Sequence, residues 1–273
     1  MLHRFIPSPA SNSVALGPLT IHFYAASILL GIVVALAIIW KRWVRAKGDP
    51  SDLLSLALLV IPAGVVGGRL YHVITTPELY FSKSGHLIDA LKIWQGGMGI
   101  WGAVAVGVLV TYLYLRHTPR SISFPLAADA VAPALLVAQG IGRWGNWFNK
   151  ELFGAPTTLP WALKVPPAYR PVGFENFATF HPTFLYESLW CFLCAALIIF
   201  TPGLRKLRPG NTFLLYILLY SLGRIWIEAL RIDRAHLILG IRLNVWVALL
   251  CIAASLLAMI KRELSARKLK VKK

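Results

Sequence analysis

The sequence predicts an all-α, polytopic membrane protein with seven transmembrane helices. Of its 273 residues, 57% are hydrophobic and only 14% are charged, and the mean hydropathy is +0.65. An average soluble domain carries about 25% charged residues. Seven apolar stretches each approach the ~20 residues that a helix needs to cross the hydrocarbon core of a bilayer. Composition and segment length therefore indicate a membrane protein and exclude a secreted disulfide scaffold.

The predicted spans follow one another in a single seven-helix transmembrane domain, residues 1–260, ahead of a basic cytoplasmic tail, residues 261–273. Their approximate limits are 20–40, 53–76, 97–115, 122–148, 183–200, 212–231 and 243–260. The loop 149–182 contains six prolines. We therefore expect this loop to be a stiff excursion without strand or helix.

Basic residues set the predicted orientation. Sixteen Lys and Arg fall on the side that carries the C-terminus and eight on the side that carries the N-terminus. Cytoplasmic loops are enriched in these residues, so the N-terminus and the loop 149–182 are predicted outside and the C-terminus inside. The basic tail is interpreted as an anchor on anionic lipid rather than a nucleic-acid site. We expect membrane lipid, and no nucleic acid, as a partner.

Four arginines lie within or at the ends of the predicted spans: Arg69, Arg143, Arg224 and Arg231. A charge at mid-bilayer costs from about 3 to more than 10 kcal/mol, so such a residue needs a partner or a wet cavity. These arginines and their polar neighbours fall at the outer ends of their spans. That placement predicts one site near the outer leaflet. Asp129 is the exception, near the inner end of the fourth span, and we interpret it as structural.

Helical spacing places several of these residues on common faces. Arg224, Glu228 and Arg231 stand at i, i+4 and i+7, and Arg143 and Asn146 share a face of the fourth span. Guanidinium forks with amide groups suit a phosphate at head-group depth. The alternative is that arginines and carboxylates only pair to lock the bundle. It applies more to Glu228 than to Arg143, which has no carboxylate one turn away.

Two cysteines stand three residues apart in the fifth span, Cys191 and Cys194. This spacing superficially suggests metal or redox chemistry, but on a helix in lipid we interpret the pair as packing residues. No metal-ligand cluster or nucleotide-binding loop stands out in the sequence. We therefore expect no metal and no cofactor.

The densest local motif runs from Gly142 to Gly154 and reads GRWGNWFNKELFG. It closely resembles the signature of bacterial prolipoprotein diacylglyceryl transferases, Gly-Arg-x-Gly-Asn-aromatic-x-Asn-x-Glu-x-x-Gly. Other motifs of that family follow in order: Ile21-His22-Phe23-Tyr24, Gly67-Gly68-Arg69, His181-Pro182-Thr183-Phe184-Leu185-Tyr186-Glu187, and Gly223-Arg224 through Glu228 to Arg231. The resemblance covers nearly the whole chain.

The resemblance implies a reaction as well as a fold. Enzymes of this family transfer the diacylglyceryl group of phosphatidylglycerol to the lipobox cysteine thiol of a prolipoprotein. A thioether forms and glycerol phosphate leaves, in the first step of bacterial lipoprotein maturation. The resemblance also implies the bacterial cytoplasmic (inner) membrane as the location, phosphatidylglycerol and prolipoprotein signal peptides as partners, and an active site near the outer leaflet.

Residue roles follow from the position of each residue in the motifs. The resemblance implies that Arg143 holds the phosphate of phosphatidylglycerol and that Asn146 orients it. It also implies that Arg224 stabilises the leaving group, with Glu228 and Arg231 supporting it. The further residues implied in the site are Glu151 and Tyr24 among the catalytic residues, and Gly154, His181 and Arg69 among those that bind substrate.

The chain departs from the family at the start of the third span. Many members have a histidine there that has been proposed as the general base, whereas this chain has Trp101, and an indole cannot accept a proton. Three explanations stay open: another base, a thiolate formed through arginine electrostatics alone, or an inactive relative. The candidate bases are Tyr24, His72, His181 and Glu151.

Three other classes of function compete with the transferase. A lipid or anion transporter would use the same arginines, but transporters usually place the site at the midplane and often show internal repeats, and neither feature is seen in this sequence. An intramembrane protease would need a catalytic serine motif or paired membrane aspartates, which the sequence lacks. A non-catalytic lipid-binding scaffold would bind lipid and form no thioether, so product formation separates it from the enzyme.

Overall fold

The computed structural model describes residues 5–17, 19–82, 85–93, 96–118 and 122–271. Some of the basic residues used for the predicted orientation lie outside these ranges: Arg4, Lys83, Arg120, Lys272 and Lys273. The chain forms two compact units, one made of Met1–Ile39 with Ala128–Lys273 and one made of Trp40–Ala127. The orientation and the single domain stay predictions.

Eight α-helices lie in the described ranges. They are α1 Phe23–Arg45, α2 Pro50–Thr75, α3 Glu78–Phe81, α4 Ile100–His117, α5 Phe124–Asn149, α6 Thr183–Phe200, α7 Asn211–Leu230 and α8 Leu243–Val271. All except the short α3 are long and apolar enough to cross a membrane. This confirms the predicted all-α, polytopic class with seven spans. The predicted limits agree within a few residues, except that α8 continues as a helix beyond the predicted end of its span.

Short strands accompany the helices. They are β1 Ile6–Pro7, β2 Ser13–Leu16, β3 Leu19–His22, β4 Leu163–Lys164, β5 Thr179–Phe180, β6 Leu237–Ile238 and β7 Ile241–Arg242. β4 pairs in parallel with β1 and antiparallel with β5, which makes a three-stranded sheet. β2 with β3 and β6 with β7 form two antiparallel hairpins. Each of these hairpins leads directly into a membrane-spanning helix.

One detail of the prediction is wrong. The loop 149–182 contains β4, β5 and the 3-10 helix Pro167–Tyr169, although its prolines predicted neither strand nor helix. The prolines lie outside the two strands, and Pro167 occupies the first position of the 3-10 helix, where a missing N–H costs little. The first span begins at Phe23, because the residues before it pair as β3 with β2.

The larger unit has an apolar core between α5, α6 and α7. Cys191 and Cys194 are both free and buried in this core, together with Leu136. Their interpretation as packing residues is confirmed. A second cluster, which includes Phe180 and Phe184, packs the three-stranded sheet against the start of α6.

Asp129 caps the N-terminus of α7. Its carboxylate accepts the backbone N–H of Gly210 at 2.6 Å and that of Phe213 at 2.9 Å. The first turn of a helix has N–H groups without intrahelical partners and carries a partial positive charge, so a carboxylate there is stabilising. The structural interpretation of Asp129 is confirmed.

Replacing Asp129 with alanine is expected to lower the free energy of unfolding by about 0.5–2 kcal/mol, the range for loss of a helix cap. Denaturant unfolding of the purified protein in detergent micelles, followed by circular dichroism, measures this change. An unfolding free energy equal to that of the wild type would show that the cap contributes nothing.

The smaller unit is built on the close packing of α2 against α4. A Cβ added at Gly67 would collide with the backbone carbonyl of Gly102, and one added at Gly102 would collide with that of Gly67. Small residues at such a crossing let two membrane helices approach backbone to backbone.

Candidate active site

Glu187 joins the two predicted active-site arginines. Its side chain is 4% exposed, and its Oε1 lies 2.6 Å from Nη2 of Arg143. Its Oε2 lies 3.3 Å from Nη1 of Arg224. One carboxylate on α6 therefore bridges guanidinium groups from α5 and α7. The sequence showed no carboxylate one turn from Arg143, because the partner comes from another helix.

Glu228 is a second bridging carboxylate, and its side chain is fully buried. Oε2 pairs with Nη2 of Arg224, and Oε1 lies 2.9 Å from Nε of Arg242. The side-chain amide of Asn244 donates to Oε1 at 3.0 Å. Nη1 of Arg231 lies farther away, 3.8 Å from Oε2. The predicted association of Glu228 with Arg224 and Arg231 is present, and Arg242 and Asn244 add to it.

Asp233 closes the network at the end of α7. It accepts two hydrogen bonds from Arg231, at 2.7 and 2.8 Å, and one from Nη2 of Arg242 at 3.0 Å. Burial alone would raise the pKa of Asp233, but the hydrogen bond from Arg231 and the charges of Arg231 and Arg242 outweigh it and lower the pKa. The carboxylate therefore stays ionised.

These side chains form what we call the arginine cluster: Arg143, Glu187, Arg224, Glu228, Arg231, Asp233 and Arg242. It contains four guanidinium groups and three carboxylates, so it carries one surplus positive charge. Sequence reasoning missed Asp233, Arg242 and Asn244 as members of the site, and it placed Glu187 among the polar residues at the outer ends of the spans without giving it a role. For Glu187 a signal existed, because it is a carboxylate within a predicted span.

The glycine-rich motif connects the arginine cluster to a loop. Nη1 of Arg143 lies 3.4 Å from Oδ1 of Asn146, and the amide of Asn146 donates to Glu151 at 2.9 Å. Asn149 donates to the same oxygen of Glu151 at 3.2 Å. The chain leaves the helix through Lys150 and Leu152 at φ 56° and 58°. This left-handed exit turns Glu151 back toward the end of α5.

A small polar cavity lies beside Arg143. Its lining includes Asn146, Thr183, Glu187 and Arg231, so it joins the signature motif to the arginine cluster. Guanidinium donors face it from α5 and from the end of α7. Such donors suit an oxyanion, since guanidinium groups bind phosphate through paired hydrogen bonds and stay charged.

Gly154 and Tyr24 pack against the elements that hold this cavity. A Cβ added at Gly154 would come within 2.9 Å of both Cβ of His181 and the carbonyl oxygen of Leu230. Only glycine lets the loop approach the end of α7 this closely. The Tyr24 ring covers Gly145, where an added Cβ would lie 2.6 Å from Cδ2 of the ring. Both predicted residues thus lie next to the signature helix or its exit loop.

His181 belongs to a polar chain at the start of α6. The Trp161 indole donates to Oη of Tyr186 at 3.0 Å, and this oxygen lies 3.1 Å from Nδ1 of His181. Because indole is only a donor, the Tyr186 hydroxyl hydrogen is free to bind Nδ1. Burial lowers the pKa of His181.

This shift has a consequence for stability. A lowered pKa means that the native state binds fewer protons than the unfolded chain, so stability falls as the pH drops below the ordinary pKa of histidine, about 6.5. We expect the melting temperature of His181→Gln to fall less than that of the wild type between pH 7.5 and pH 5. Equal falls in the two proteins would contradict this assignment. Differential scanning fluorimetry in detergent is the measurement.

Arg69 lies in the smaller unit, and every hydrogen bond that it makes to a described residue goes to a backbone carbonyl. Its Nε lies 2.8 Å from the carbonyl oxygen of Ala90, and Nη1 lies 3.0 Å from that of Gly97. It donates to the carbonyls of Asp89 and Gly96 as well. These bonds use four of the five guanidinium N–H groups, so a paired contact with a phosphate would have to displace one of them. The structure therefore gives Arg69 a loop-holding role, and its substrate role stays a prediction.

Fold and site together define a class, a polytopic membrane protein with a partly buried, net-positive arginine cluster at the ends of its helices. The chain matches the family model of prolipoprotein diacylglyceryl transferase over residues 12–261, and it belongs to that family. The resemblance seen in the sequence is thereby confirmed, and the chain is a transferase of lipoprotein biosynthesis.

Individual relatives agree in name. The chain is 46% identical over 272 residues to the phosphatidylglycerol–prolipoprotein diacylglyceryl transferase of Bifidobacterium adolescentis, across 95% of this chain and 80% of that protein. It is 47% identical over 265 residues to the one of Frankia alni, across 96% of this chain and 69% of that protein. For transferase 2 of Streptomyces coelicolor the identity is 48% over 246 residues, across 90% of this chain and 77% of that protein.

Proposed function

We propose that this protein transfers the diacylglyceryl group of phosphatidylglycerol to the lipobox cysteine thiol of prolipoproteins. The thiolate sulfur attacks the glyceryl carbon that carries the phosphate, a carbon–sulfur bond forms, and the carbon–oxygen bond to phosphate breaks. Glycerol phosphate leaves with the bonding electrons, and the thiol proton passes to a base. Family membership supports the reaction, and the arginine cluster is the structural observation that carries it.

The charge of the arginine cluster suits this lipid. A phosphodiester carries one negative charge, and the cluster has one surplus positive charge. Arg143 is the more exposed of the two bridged arginines, with a side chain 23% exposed against 14% for Arg224. We assign phosphate binding to Arg143, with Asn146 held beside it by Glu151.

Arg224 is assigned to the leaving group. Glu187 and Glu228 hold its guanidinium from two sides, so its position is fixed before the reaction begins. A preorganised cation near the departing phosphate offsets the charge that develops there. The same field of arginines favours the thiolate form of the attacking cysteine, whose unperturbed pKa is about 8.5.

Another group is proposed to accept the thiol proton, because Trp101 stands at the family's usual histidine. Among the candidates, Glu151 is supported by its contacts. This exposed carboxylate accepts a hydrogen bond from Asn146, and Asn146 in turn contacts Arg143. His181 is supported by its lowered pKa, which keeps the imidazole neutral at pH 7. We favour Glu151, since it is linked to the phosphate-binding arginine.

The site is proposed to face the outer leaflet of the cytoplasmic membrane. α5 and α7 end at the arginine cluster, while α6 and α8 begin there, so the helix ends meet on one side. In the predicted orientation this is the outer side. Phosphatidylglycerol and the lipobox of a translocated signal peptide would both reach it there.

Mass spectrometry of a lipobox peptide tests the reaction. Purified protein incubated with phosphatidylglycerol should add one diacylglyceryl mass to the peptide, and a peptide with serine in place of the lipobox cysteine should gain none.

Trp101→His, assayed in parallel, tests whether the usual base improves the rate. Binding of phosphatidylglycerol without any peptide product would favour the lipid-binding scaffold. Movement of the lipid across the membrane without its consumption would favour the transporter.

Arg242 is expected to support catalysis through Glu228. Arg242→Met removes one of the partners of Oε1, so we expect kcat to fall by roughly 10- to 100-fold, by analogy with residues that hold metal ligands in place. Arg242→Lys should recover part of the loss, and Arg234→Met, an exposed arginine of the same connection, should leave kcat unchanged. Equal rates for Arg242→Met and Arg234→Met would refute the role. Initial rates with the lipobox peptide provide the measurement.

A further inference from the structure

The β6–β7 hairpin ends in a contiguous apolar tip. Leu237 is 62% exposed, Ile238 48%, Leu239 87% and Ile241 40%. Single exposed apolar residues are ordinary on a protein surface, but a contiguous set indicates contact with something apolar.

The backbone of the tip adds a second observation. Leu239 and Gly240 have φ of 52° and 75°, so both central residues of the two-residue turn are left-handed. Such turns favour Asn-Gly or Asp-Gly, because a bulky side chain is strained at positive φ. Leucine is therefore unfavourable at this position both for the backbone and for exposure to water. An apolar surrounding would remove the cost of exposing the leucine side chain to water.

Two hydrogen bonds fix where the hairpin lies. The backbone N–H of Leu243 donates to the carbonyl of His236 at 2.8 Å, and the indole of Trp246 donates to the carbonyl of Ile238 at 3.0 Å. Trp246 belongs to the first turn of α8, which is a membrane-spanning helix. The hairpin consequently lies alongside that first turn and does not extend away from the helix end. Tryptophan in the first turn of a span is typical of the membrane interface.

We infer that the apolar tip of this hairpin, Leu237 to Ile241, inserts into the phospholipid leaflet at the N-terminal end of α8. In the predicted orientation this is the outer leaflet. The exposed Arg234 and His236 precede the tip in the chain, where they can meet lipid phosphates at head-group depth.

The other end of the hairpin belongs to the arginine cluster. Arg242 follows the tip directly and binds both Glu228 and Asp233. The hairpin thus joins the leaflet to the cluster through one short segment. The leaflet contact itself does not depend on the proposed reaction.

Nitroxide accessibility tests this inference in lipid vesicles. Leu239→Cys would be spin-labelled in a background with Cys251 replaced by alanine, since Cys191 and Cys194 are buried. Val172→Cys is the matched control, because Val172 is 88% exposed and also aliphatic but lies in the loop 149–182. Collision rates are measured with oxygen, which concentrates in hydrocarbon, and with a nickel chelate, which stays in water.

We expect the oxygen-to-nickel ratio to be several-fold higher for the label at position 239 than for the label at position 172. Equal, water-like ratios at the two positions would overturn the inference. A water-like label at 239 that becomes immobilised only when a lipobox peptide is added would also overturn it, and would make the signal peptide the occupant. Because the measurement needs no turnover, a protein without transferase activity could still show the leaflet contact.

Discussion

Replacing Glu228 with alanine is expected to lower the free energy of unfolding by about 3–5 kcal/mol, the range for removing one partner of a buried ion pair. The side chain is fully buried, and its loss removes one carboxylate partner from Arg224 and one from Arg242, which keep only Glu187 and Asp233. The arginine cluster then holds four guanidinium groups against two carboxylates, and this excess of positive charge in a water-poor environment accounts for most of the cost. Denaturant unfolding in detergent micelles measures it.

Glu263→Ala provides the matched control. Glu263 also pairs with an arginine, Arg208, at 3.3 Å, but its side chain is 50% exposed. Exposed pairs of this kind contribute at most about 1 kcal/mol. Similar losses in the two variants would show that Glu228 is not the central buried charge that the structure indicates.

The second large effect is expected in catalysis. Arg143→Ala should lower the rate of diacylglyceryl transfer by about 100- to 1,000-fold, the range for removing one electrostatic donor from an active site. Arg143→Lys keeps the charge but loses the paired donors, so it should recover only part of the rate. The rate is followed as thioether product on the lipobox peptide.

Arg116→Ala is the control for Arg143→Ala. Arg116 is an exposed arginine at the end of α4, and its hydrogen bond reaches the Tyr112 hydroxyl at 3.4 Å. Its removal should leave the rate unchanged. If Arg143→Ala were as active as Arg116→Ala, the assignment of Arg143 to the phosphate would be wrong.

The helices could be predicted from the sequence because the bilayer imposes one length on every span. The fifth predicted span, 183–200, coincides with α6, Thr183–Phe200. The two-residue strands β4 and β5 could not be predicted in the same way, since they are too short to show periodicity. Their pairing depends on contacts between residues far apart in the chain.

The candidate site could likewise be predicted only where its residues lie close together in the sequence. Arg224, Glu228 and Arg231 could be grouped because they share one face of one helix. Glu187 could not be joined to Arg143, because their contact depends on how α5 packs against α6. Arg242 was counted only as a loop charge, and its contact with Glu228 exists because the β6–β7 hairpin returns it to the end of α7.

The central claim is that Arg143 holds the phosphate of phosphatidylglycerol while Arg224 acts on the leaving group. Native mass spectrometry of the detergent-solubilised protein tests it directly, by measuring bound phosphatidylglycerol in the wild type, Arg143→Ala, Arg224→Ala and Arg116→Ala. We predict that Arg143→Ala loses the lipid, whereas Arg224→Ala retains it but forms no thioether. Retention of phosphatidylglycerol by Arg143→Ala at the wild-type level would contradict the claim.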